Sequence, residues 1–292
     1  FLPLAHTAGL IGDVLAHIVY GNYILLNKNE GGILNLYNII KIVKPYMFIT
    51  APMVLEQLFT KFGDELIRVL NLNCRLILMG MAKWDSSIEK IVEAIGLPMC
   101  TGYSQTEAGA SICLTPYGQY RKGASGKLVS GYLMKFSEHG EILVKSENVM
   151  LGYYKNEEAT KEVMEDGWFH TGDLGYIDDE NYLYITGRKK NLIILSNGEN
   201  VSPEEIEAQL LEIQIIKEVV VYEKDDKIAA QIFMNEEYIA KENIEEPEKL
   251  VQEKIAELNL KSTNFRQISI VEYRKTPFLR NSSQKIKRDS VE

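Results

Sequence analysis

Arg75-Leu76-Ile77-Leu78-Met79 is followed by an amphipathic stretch from Ser86 to Ile95 and then by Leu97-Pro98-Met99-Cys100, and this run decides the fold class. The first segment is a short, nearly unbroken apolar run of strand type, and the second has helical spacing. Gly96 stops the helix, and the third segment re-enters a strand. Strand, helix and strand at this spacing make a right-handed crossover in a parallel sheet. Ligands of such sheets gather at the carboxyl ends of the strands. Two loops are expected there, Gly80-Met81-Ala82 and Thr101-Gly102-Tyr103-Ser104-Gln105-Thr106-Glu107.

The same texture extends upstream. Ile33 to Ile40 has helical spacing with Pro45 beyond its end, and Tyr46-Met47-Phe48-Ile49-Thr50 reads as a buried strand closed by Ala51-Pro52. Residues 1–112 are therefore expected to be α/β. From 113 to 187 the punctuation becomes β-like: Ser125-Gly126, Ser130-Gly131 and His139-Gly140 separate short alternating runs, and Asp178 to Asn181 turns one strand back into the next. A small β-barrel or curved sheet is expected. Residues 188–292 read as a compact α+β domain. Asn197-Gly198 predicts a tight turn, and Ser202-Pro203-Glu204-Glu205 predicts a helix start with Ser202 as cap. Strands near Glu218–Tyr222, Lys227–Met234 and 267–273 and a helix near 247–258 complete it. The expectation is a partial parallel-sheet large domain with its β-rich subdomain over 1–187, then a small mobile domain over 188–292.

Length and composition bound the function. At about 150 residues per domain, 292 residues make about two domains. The balance of 32 basic against 41 acidic residues gives a net charge of −9, which argues against a broad nucleic-acid surface. Three cysteines, Cys74, Cys100 and Cys113, cannot pair completely and lie among apolar residues, which fits a reducing, cytoplasmic setting. The apolar stretch Val14 to Asn27 is shorter than the about 20 residues a bilayer span needs. No basic flank of a signal peptide precedes it.

Several site types are missing from the sequence: no Cys-x-x-Cys, no Gly-x-Ser-x-Gly elbow and no Gly-x-x-x-x-Gly-Lys phosphate loop. Four segments can carry chemistry. In Tyr103 to Glu107, the tyrosine offers a face for a base, Thr106 a hydroxyl for phosphate and Glu107 a hard oxygen for Mg²⁺. Taken alone, those residues read more readily as a polar turn after a strand. In His170-Thr171-Gly172-Asp173-Leu174, Gly172 permits a bend and Asp173 can accept hydrogen bonds from a vicinal diol such as a ribose; an ordinary turn also accounts for it. Gly187-Arg188-Lys189-Lys190-Asn191 clusters three cations where the texture changes, as an anion site or as a solvated charge run. Ser282-Ser283-Gln284-Lys285-Ile286-Lys287-Arg288 is a basic tail.

The order of these segments resembles the adenylate-forming superfamily of acyl-CoA synthetases, luciferases and peptide-synthetase adenylation domains. Leu2 to Gly9 looks like its Leu-Pro-Leu-x-His-x-x-Gly segment, Gly80-Met81-Ala82 its Gly-Gly-Ala loop, and Tyr103 to Glu107 its Tyr-Gly-x-Thr-Glu motif. Gly140-Glu141-Ile142 through Gly152-Tyr153 resembles the next block, and Phe169 to Leu174 matches Tyr-Arg-Thr-Gly-Asp-Leu. Gly187-Arg188 through Gly198 with Pro203 to Glu207 matches the hinge block, and Lys285 to Arg288 the C-terminal lysine motif. The resemblance implies ATP-dependent activation of a carboxylic acid as an acyl-adenylate, followed by transfer to a thiol. ATP and Mg²⁺ would be required. CoA would be the acceptor, or a carrier protein's phosphopantetheine.

The same resemblance distributes roles. Gly80, Met81, Ala82, Tyr103, Ser104, Thr106, Asp173, Ile185, Arg188 and Lys285 would line the nucleotide site, with Asp173 and Arg188 on the ribose hydroxyls. Glu107 would hold Mg²⁺, His6 and Gly102 would border the acyl pocket, and Lys190 would be the hinge of the small domain. Lys285 would bridge the carboxylate and the α-phosphate, making it, with Thr106 and Glu107, the catalytic set. Some positions depart from the family pattern: Gln284 replaces a Gly, Lys83-Trp84 replaces Pro-Leu, and Ile194 stands where many members carry a Lys. The long Arg188–Gly198 spacing looks most like long-chain acyl-CoA synthetases. No Asp accompanies His6-Thr7, which speaks against amino-acid activation. The Pro-Lys-Gly phosphate loop that precedes the His6 segment in the family is not in this sequence, so the expectation is a C-terminal fragment, weak or inactive by itself. The alternative is a non-catalytic nucleotide-binding remnant.

Overall fold

The structure, a computed structural model, describes residues 4–25, 32–80, 86–280, 286–288 and 291. The chain divides into two compact units, Phe1–Ile185 and Thr186–Glu292.

In the first unit a π-helical stretch, Ala8–Leu15, leads into α1 (Ala16–Val19), followed by α2 (Gly32–Val43), β1 (Met47–Thr50) and α3 (Pro52–Asn71). Next come β2 (Leu76–Met79), α4 (Ser86–Ile95), β3 (Met99–Gln105), β4 (Ala110–Leu114) and β5 (Lys127–Leu128). These five strands form one sheet in the order β1-β2-β3-β4-β5. β1, β2 and β3 pair in parallel, with Leu78 opposite Ile49 on one side and Cys100 on the other. Each parallel connection carries a single helix, α3 or α4, so the crossover read from 75–100 is present. α3 is not among the elements expected from the sequence. Its apolar residues Leu55, Leu58, Leu66 and Leu70 are buried against Ile77 and Met79, and the helix breaks at Gly63, where φ is +47°. Full burial of a leucine stabilises the fold by about 1.5–3 kcal/mol, so this helix is a main support of the sheet.

One expectation is corrected here. Thr101 to Gln105 are not a loop after the strand but the second half of β3. Met99, Cys100 and Thr101 pair with β2, whereas Gly102 to Gln105 pair antiparallel with β4. The strand runs past the parallel core because a hairpin partner satisfies its backbone there. A Cβ on Gly102 would come within 2.8 Å of the Leu114 side chain and 3.1 Å of the Cys113 carbonyl oxygen, so glycine lets β4 close in. β4 also runs across position 113, so the β-like texture begins inside the first sheet.

The second sheet is a curled half-barrel of antiparallel strands. It contains β6 (Leu133–Phe136), β7 (Glu141–Lys145), β8 (Met164–Glu165), β9 (Trp168–Ile177) and β10 (Leu183–Arg188), in the order β10-β9-β7-β6 with β8 beside β9. A short helix, α5 (Glu157–Val163), precedes β8 and is capped by the Asn156 side chain, which accepts from the Ala159 amide at 3.1 Å. Phe169, Ile142, Val144 and Leu183 share a core with Tyr103 and Ile112 of the first sheet.

In the second unit, β11 (Ile193–Ile194) and β12 (Asn200–Val201) form a hairpin over the Asn197-Gly198 turn, with Gly198 at φ +83°. α6 (Pro203–Leu210) follows with Pro203 in its first turn. Ser202 does not cap it: its hydroxyl donates to the Thr186 carbonyl at 2.8 Å instead. β13 (Ile216–Lys224) and β14 (Lys227–Met234) are antiparallel, then α7 (Glu236–Glu242) and α8 (Pro247–Asn259) lead to β15 (Ile268–Arg274), parallel to β14. Leu210, Ile232 and Val251 are fully buried between sheet and helices. No described helix is long and apolar enough to cross a membrane.

Candidate nucleotide site

The carboxyl half of β3 and the middle of β9 converge on one carboxylate. Tyr103 and Gln105 lie two apart on β3 and so share a face. The Tyr103 hydroxyl donates to Asp173 Oδ2 at 2.7 Å, and Gln105 Nε2 donates to the same oxygen at 2.6 Å. Gln105 Nε2 also reaches the Thr171 carbonyl at 2.9 Å. Asp173 is 4% exposed and Tyr103 8%, so the pairing is an interior one. Burying a carboxylate is costly unless hydrogen bonds compensate it, and two side chains from another sheet do so.

Asp173 is aimed by a bulge rather than by the turn expected at Gly172. Opposite β7, Glu141 pairs with Leu174 and Leu143 with His170, so β9 carries extra residues across a short span of β7. Gly172 takes φ +68° there, a left-handed conformation that favours glycine. The bulge is held from below. Thr171 Oγ1 donates to the Ile142 carbonyl at 2.7 Å and accepts from the Asp173 amide at 3.1 Å. Glu141, 4% exposed, accepts from the Gly172 amide at 3.2 Å and lies 3.3 Å from His170 Nδ1. Bulges of this kind re-aim side chains next to functional sites.

Thr106 and Glu107 lie on the 3-10 turn Thr106–Ala108 between β3 and β4. Thr106 is exposed and Glu107 half-buried. The Glu107 carbonyl accepts from the Met150 amide at 2.7 Å, and its Oε1 accepts from the Tyr153 hydroxyl at 3.1 Å. Tyr153 is itself held through its amide by Thr160 Oγ1 at 2.9 Å. Burial first, then the neighbouring Glu107, pushes the Tyr153 hydroxyl above its ordinary range. The turn therefore presents a positioned carboxylate. A single hard oxygen donor fits Mg²⁺, which is held by one or two carboxylates together with phosphate and water. Among the described residues no three His, Cys, Asp or Glu side chains cluster as a metal cage.

The remaining sequence-derived residues are placed as follows. Gly80 follows β2, and its amide reaches the Thr50 carbonyl at 3.4 Å; Met81 and Ala82 lie outside the described residues. Ser104 is exposed on β3, and Ile185 on β10 packs against the core that holds Tyr103. His6 is exposed, its Nδ1 accepting from the Ala8 amide at 3.1 Å. Arg188 and Lys190 are exposed residues of the second unit, Lys190 on a 3-10 turn, Lys189–Asn191. Beside them, a Cβ on Gly187 would meet the Ser202 hydroxyl at 2.2 Å, so that position accepts only glycine without a shift. Lys285 lies outside the described residues. Three site residues escaped the sequence reading: Gln105, Glu141 and Tyr153. All three fall inside the motif segments of the sequence, but nothing local marks them as partners of Asp173, the bulge or Glu107.

The carboxylate of Asp173 is thus buried between two sheets, with the Thr106-Glu107 turn at the end of β3. The family profile described as AMP-binding enzyme matches residues 1–154, more than half of the chain. The chain belongs to the AMP-binding enzyme family. The profile of that family's C-terminal domain matches residues 190–292. The chain is 34% identical over 243 residues to a 2-succinylbenzoate–CoA ligase of Bacillus cytotoxicus, covering 79% of this chain and 49% of that protein. It is 37% identical over 149 residues to a long-chain-fatty-acid–CoA ligase of Mycobacterium bovis, covering 51% of this chain and 25% of that one. Among solved structures, o-succinylbenzoate coenzyme A synthetase from Bacillus subtilis in complex with AMP aligns with a TM-score of 0.79 at 25% identity, over 99% of this chain and 59% of that one. The chain spans a quarter to about half of the length of these curated relatives.

Proposed function

We propose that this chain is part of an ATP-dependent carboxylic acid–CoA ligase that forms an acyl-adenylate and then a thioester. The observation that carries the reading is the convergence of Tyr103 and Gln105 on the buried Asp173 in a member of the AMP-binding enzyme family. In this reading Asp173, fixed by those two donors, accepts from the ribose hydroxyls, with Arg188 as its partner from the second unit. Tyr103 and Ser104 line the base together with Gly80, Met81, Ala82 and Ile185. The Thr106 hydroxyl contacts phosphate. Glu107, oriented by Tyr153, holds Mg²⁺, which when bound supplies positive charge to the phosphates.

A carboxylate attacking the α-phosphorus brings several negative charges together, so catalysis is mainly positioning and neutralisation. Lys285 supplies the mobile cation, bridging the carboxylate and the α-phosphate as pyrophosphate leaves. In the second step the thiol sulfur attacks the acyl-adenylate carbonyl and AMP leaves. Rotation of the 188–292 domain about Lys190 separates the two steps by withdrawing Lys285. His6 and Gly102 border the acyl pocket.

The acid class proposed is a fatty acid, supported by the long Arg188–Gly198 spacing and by the similarity to a long-chain-fatty-acid–CoA ligase. A cytoplasmic setting is proposed from the buried free thiols of Cys74, Cys100 and Cys113. The test is a pyrophosphate-exchange screen of the complete gene product across fatty acids and 2-succinylbenzoate, with CoA and a carrier protein compared as acceptors. Exchange dependent on a fatty acid and abolished by Lys285→Ala is expected. Exchange only with 2-succinylbenzoate overturns the acid class, exclusive transfer to the carrier overturns the acceptor, and no exchange with any acid favours a nucleotide-binding remnant.

A further inference from the structure

The Pro203 to Glu207 segment resembles part of the hinge block, yet its last carboxylate faces Arg288 of the C-terminal motif. Glu207 on α6 has a side chain only 13% exposed. Its Oε1 accepts from the Val221 amide on β13 at 2.8 Å, and its Oε2 accepts from Arg288 Nη2 at 2.5 Å. Arg288 Nη1 donates to the Val221 carbonyl at 3.2 Å, and Nη2 lies 3.6 Å from Glu204 Oε1. The guanidinium is thus fixed from a helix and a strand at once.

A second pair of the same kind involves Arg280, before Lys285 in the sequence. Arg280 Nη2 donates to Glu218 Oε1 at 2.6 Å, and Glu218, 8% exposed, also accepts from the Phe278 amide at 2.8 Å. Arg280 and Ile286 pair as an isolated antiparallel bridge, and the Lys287 amide donates to the Leu279 carbonyl at 2.8 Å. Ile286 is the residue after Lys285 in the chain. The described residues nearest the lysine on both sides are therefore tied to the body of the second unit, each side by a carboxylate–guanidinium pair.

Stability is a weak reason for such pairs, because desolvation offsets most of the attraction and apolar residues of similar volume do as well or better. What a guanidinium on a carboxylate does supply is a fixed position and direction. We propose that Glu207 is a positioning residue for the adenylation step: through Arg288 it fixes the 286–288 segment, which directly follows Lys285 in the sequence. Glu218 fixes Arg280, which precedes the lysine in the sequence. This rests on the reading of Lys285 as the adenylation lysine.

The test measures both half-reactions in the complete gene product. Adenylation is followed by pyrophosphate exchange with dodecanoate or 2-succinylbenzoate, whichever supports it, and thioester formation by CoA attack on the corresponding synthetic acyl-adenylate. At pH 8, where Glu207 is ionised, Glu207→Gln keeps an acceptor for the Val221 amide and removes the charge facing Arg288. It should lower the adenylation kcat on the order of tenfold to a hundredfold, the scale of a small misplacement of a catalytic group. KM for ATP and the thioester step should stay within about twofold of wild type. Glu207→Gln with Lys285→Ala together should lose no more adenylation than Lys285→Ala alone, because groups acting as one unit are not additive. Should Glu207→Gln fail to fold, Arg288→Lys, which keeps the charge and loses the fork, carries the same comparison. Equal loss in both half-reactions, or no loss in adenylation while Lys285→Ala abolishes it, overturns this proposal alone. Undiminished adenylation in Lys285→Ala overturns the lysine reading and this proposal with it.

Discussion

Tyr103→Phe isolates one hydrogen bond at the centre of the candidate site. The substitution keeps the ring and removes only the hydroxyl that donates to Asp173 Oδ2 at 2.7 Å. A hydrogen bond to a carboxylate contributes about 1.5–3 kcal/mol when its loss leaves a buried acceptor short of a donor. Asp173 is 4% exposed, so water replaces the lost donor poorly. Gln105 Nε2 still donates to the same oxygen at 2.6 Å, which places the expected cost at the low end, about 1.5–2 kcal/mol. For a unit the size of Phe1–Ile185, each kcal/mol lowers Tm by about 2–4 °C, so the shift should be about 3–8 °C. Both tryptophans, Trp84 and Trp168, fall in that unit, so urea unfolding followed by their fluorescence reads it separately. Asp173→Asn and the double variant complete a cycle. The coupling between Tyr103 and Asp173 should be on the order of 1 kcal/mol. A double variant equal to the sum of the singles within about 0.5 kcal/mol would refute the idea that the two side chains act as a pair.

Two further outcomes follow from the same structure. Burial pushes Glu207 up to about 7, with Arg288 only partly offsetting it. The unfolded chain releases that proton near 4.5 while the folded state keeps it to about 7, so stability of the second unit should fall as pH rises between those values and level off above. The span is on the order of 3 kcal/mol, and Glu207→Gln should flatten that part of the pH–stability curve from denaturant melts. Among glycines, Gly126→Ala places a Cβ 2.2 Å from the Leu114 carbonyl carbon at φ +95°, whereas Gly118→Ala at φ +70° meets nothing within 4 Å. The first should cost about 2–5 kcal/mol from clash plus backbone strain, and the second only about 1 kcal/mol; similar losses in urea melts would contradict the close approach of residue 126 to β4.

Local chemistry made much of the fold legible. The apolar runs at Leu76–Met79 and Met99–Cys100 had to be strands of a parallel sheet because the helical stretch from Ser86 to Ile95 stands between them, and Tyr46–Thr50 reads as a buried strand from its own apolar run. The Asn197-Gly198 turn and the start of α6 at Pro203 were written in residues whose backbone preferences act over a few positions. The same locality explains the misses. Thr101 to Gln105 looked like a loop because their polar residues carry no strand signal of their own, and only pairing with β4 holds them extended. Gly172 looked like a turn because a bulge and a turn ask the same conformation of glycine. Ser202 looked like a cap, but the Thr186 carbonyl competes for its hydroxyl from a segment that no local pattern connects to it.

The order of motifs along the chain was enough to determine the family and to nominate Tyr103, Thr106, Glu107, Asp173 and Lys285, because those residue types carry their chemistry wherever the fold puts them. Tertiary structure alone decided which of them meet. Tyr103 and Asp173 are 70 residues apart and Glu207 and Arg288 are 81 apart, and such pairs depend on strand register, a bulge and helix docking. Those are settled by burial of the whole core, which no single stretch of sequence contains.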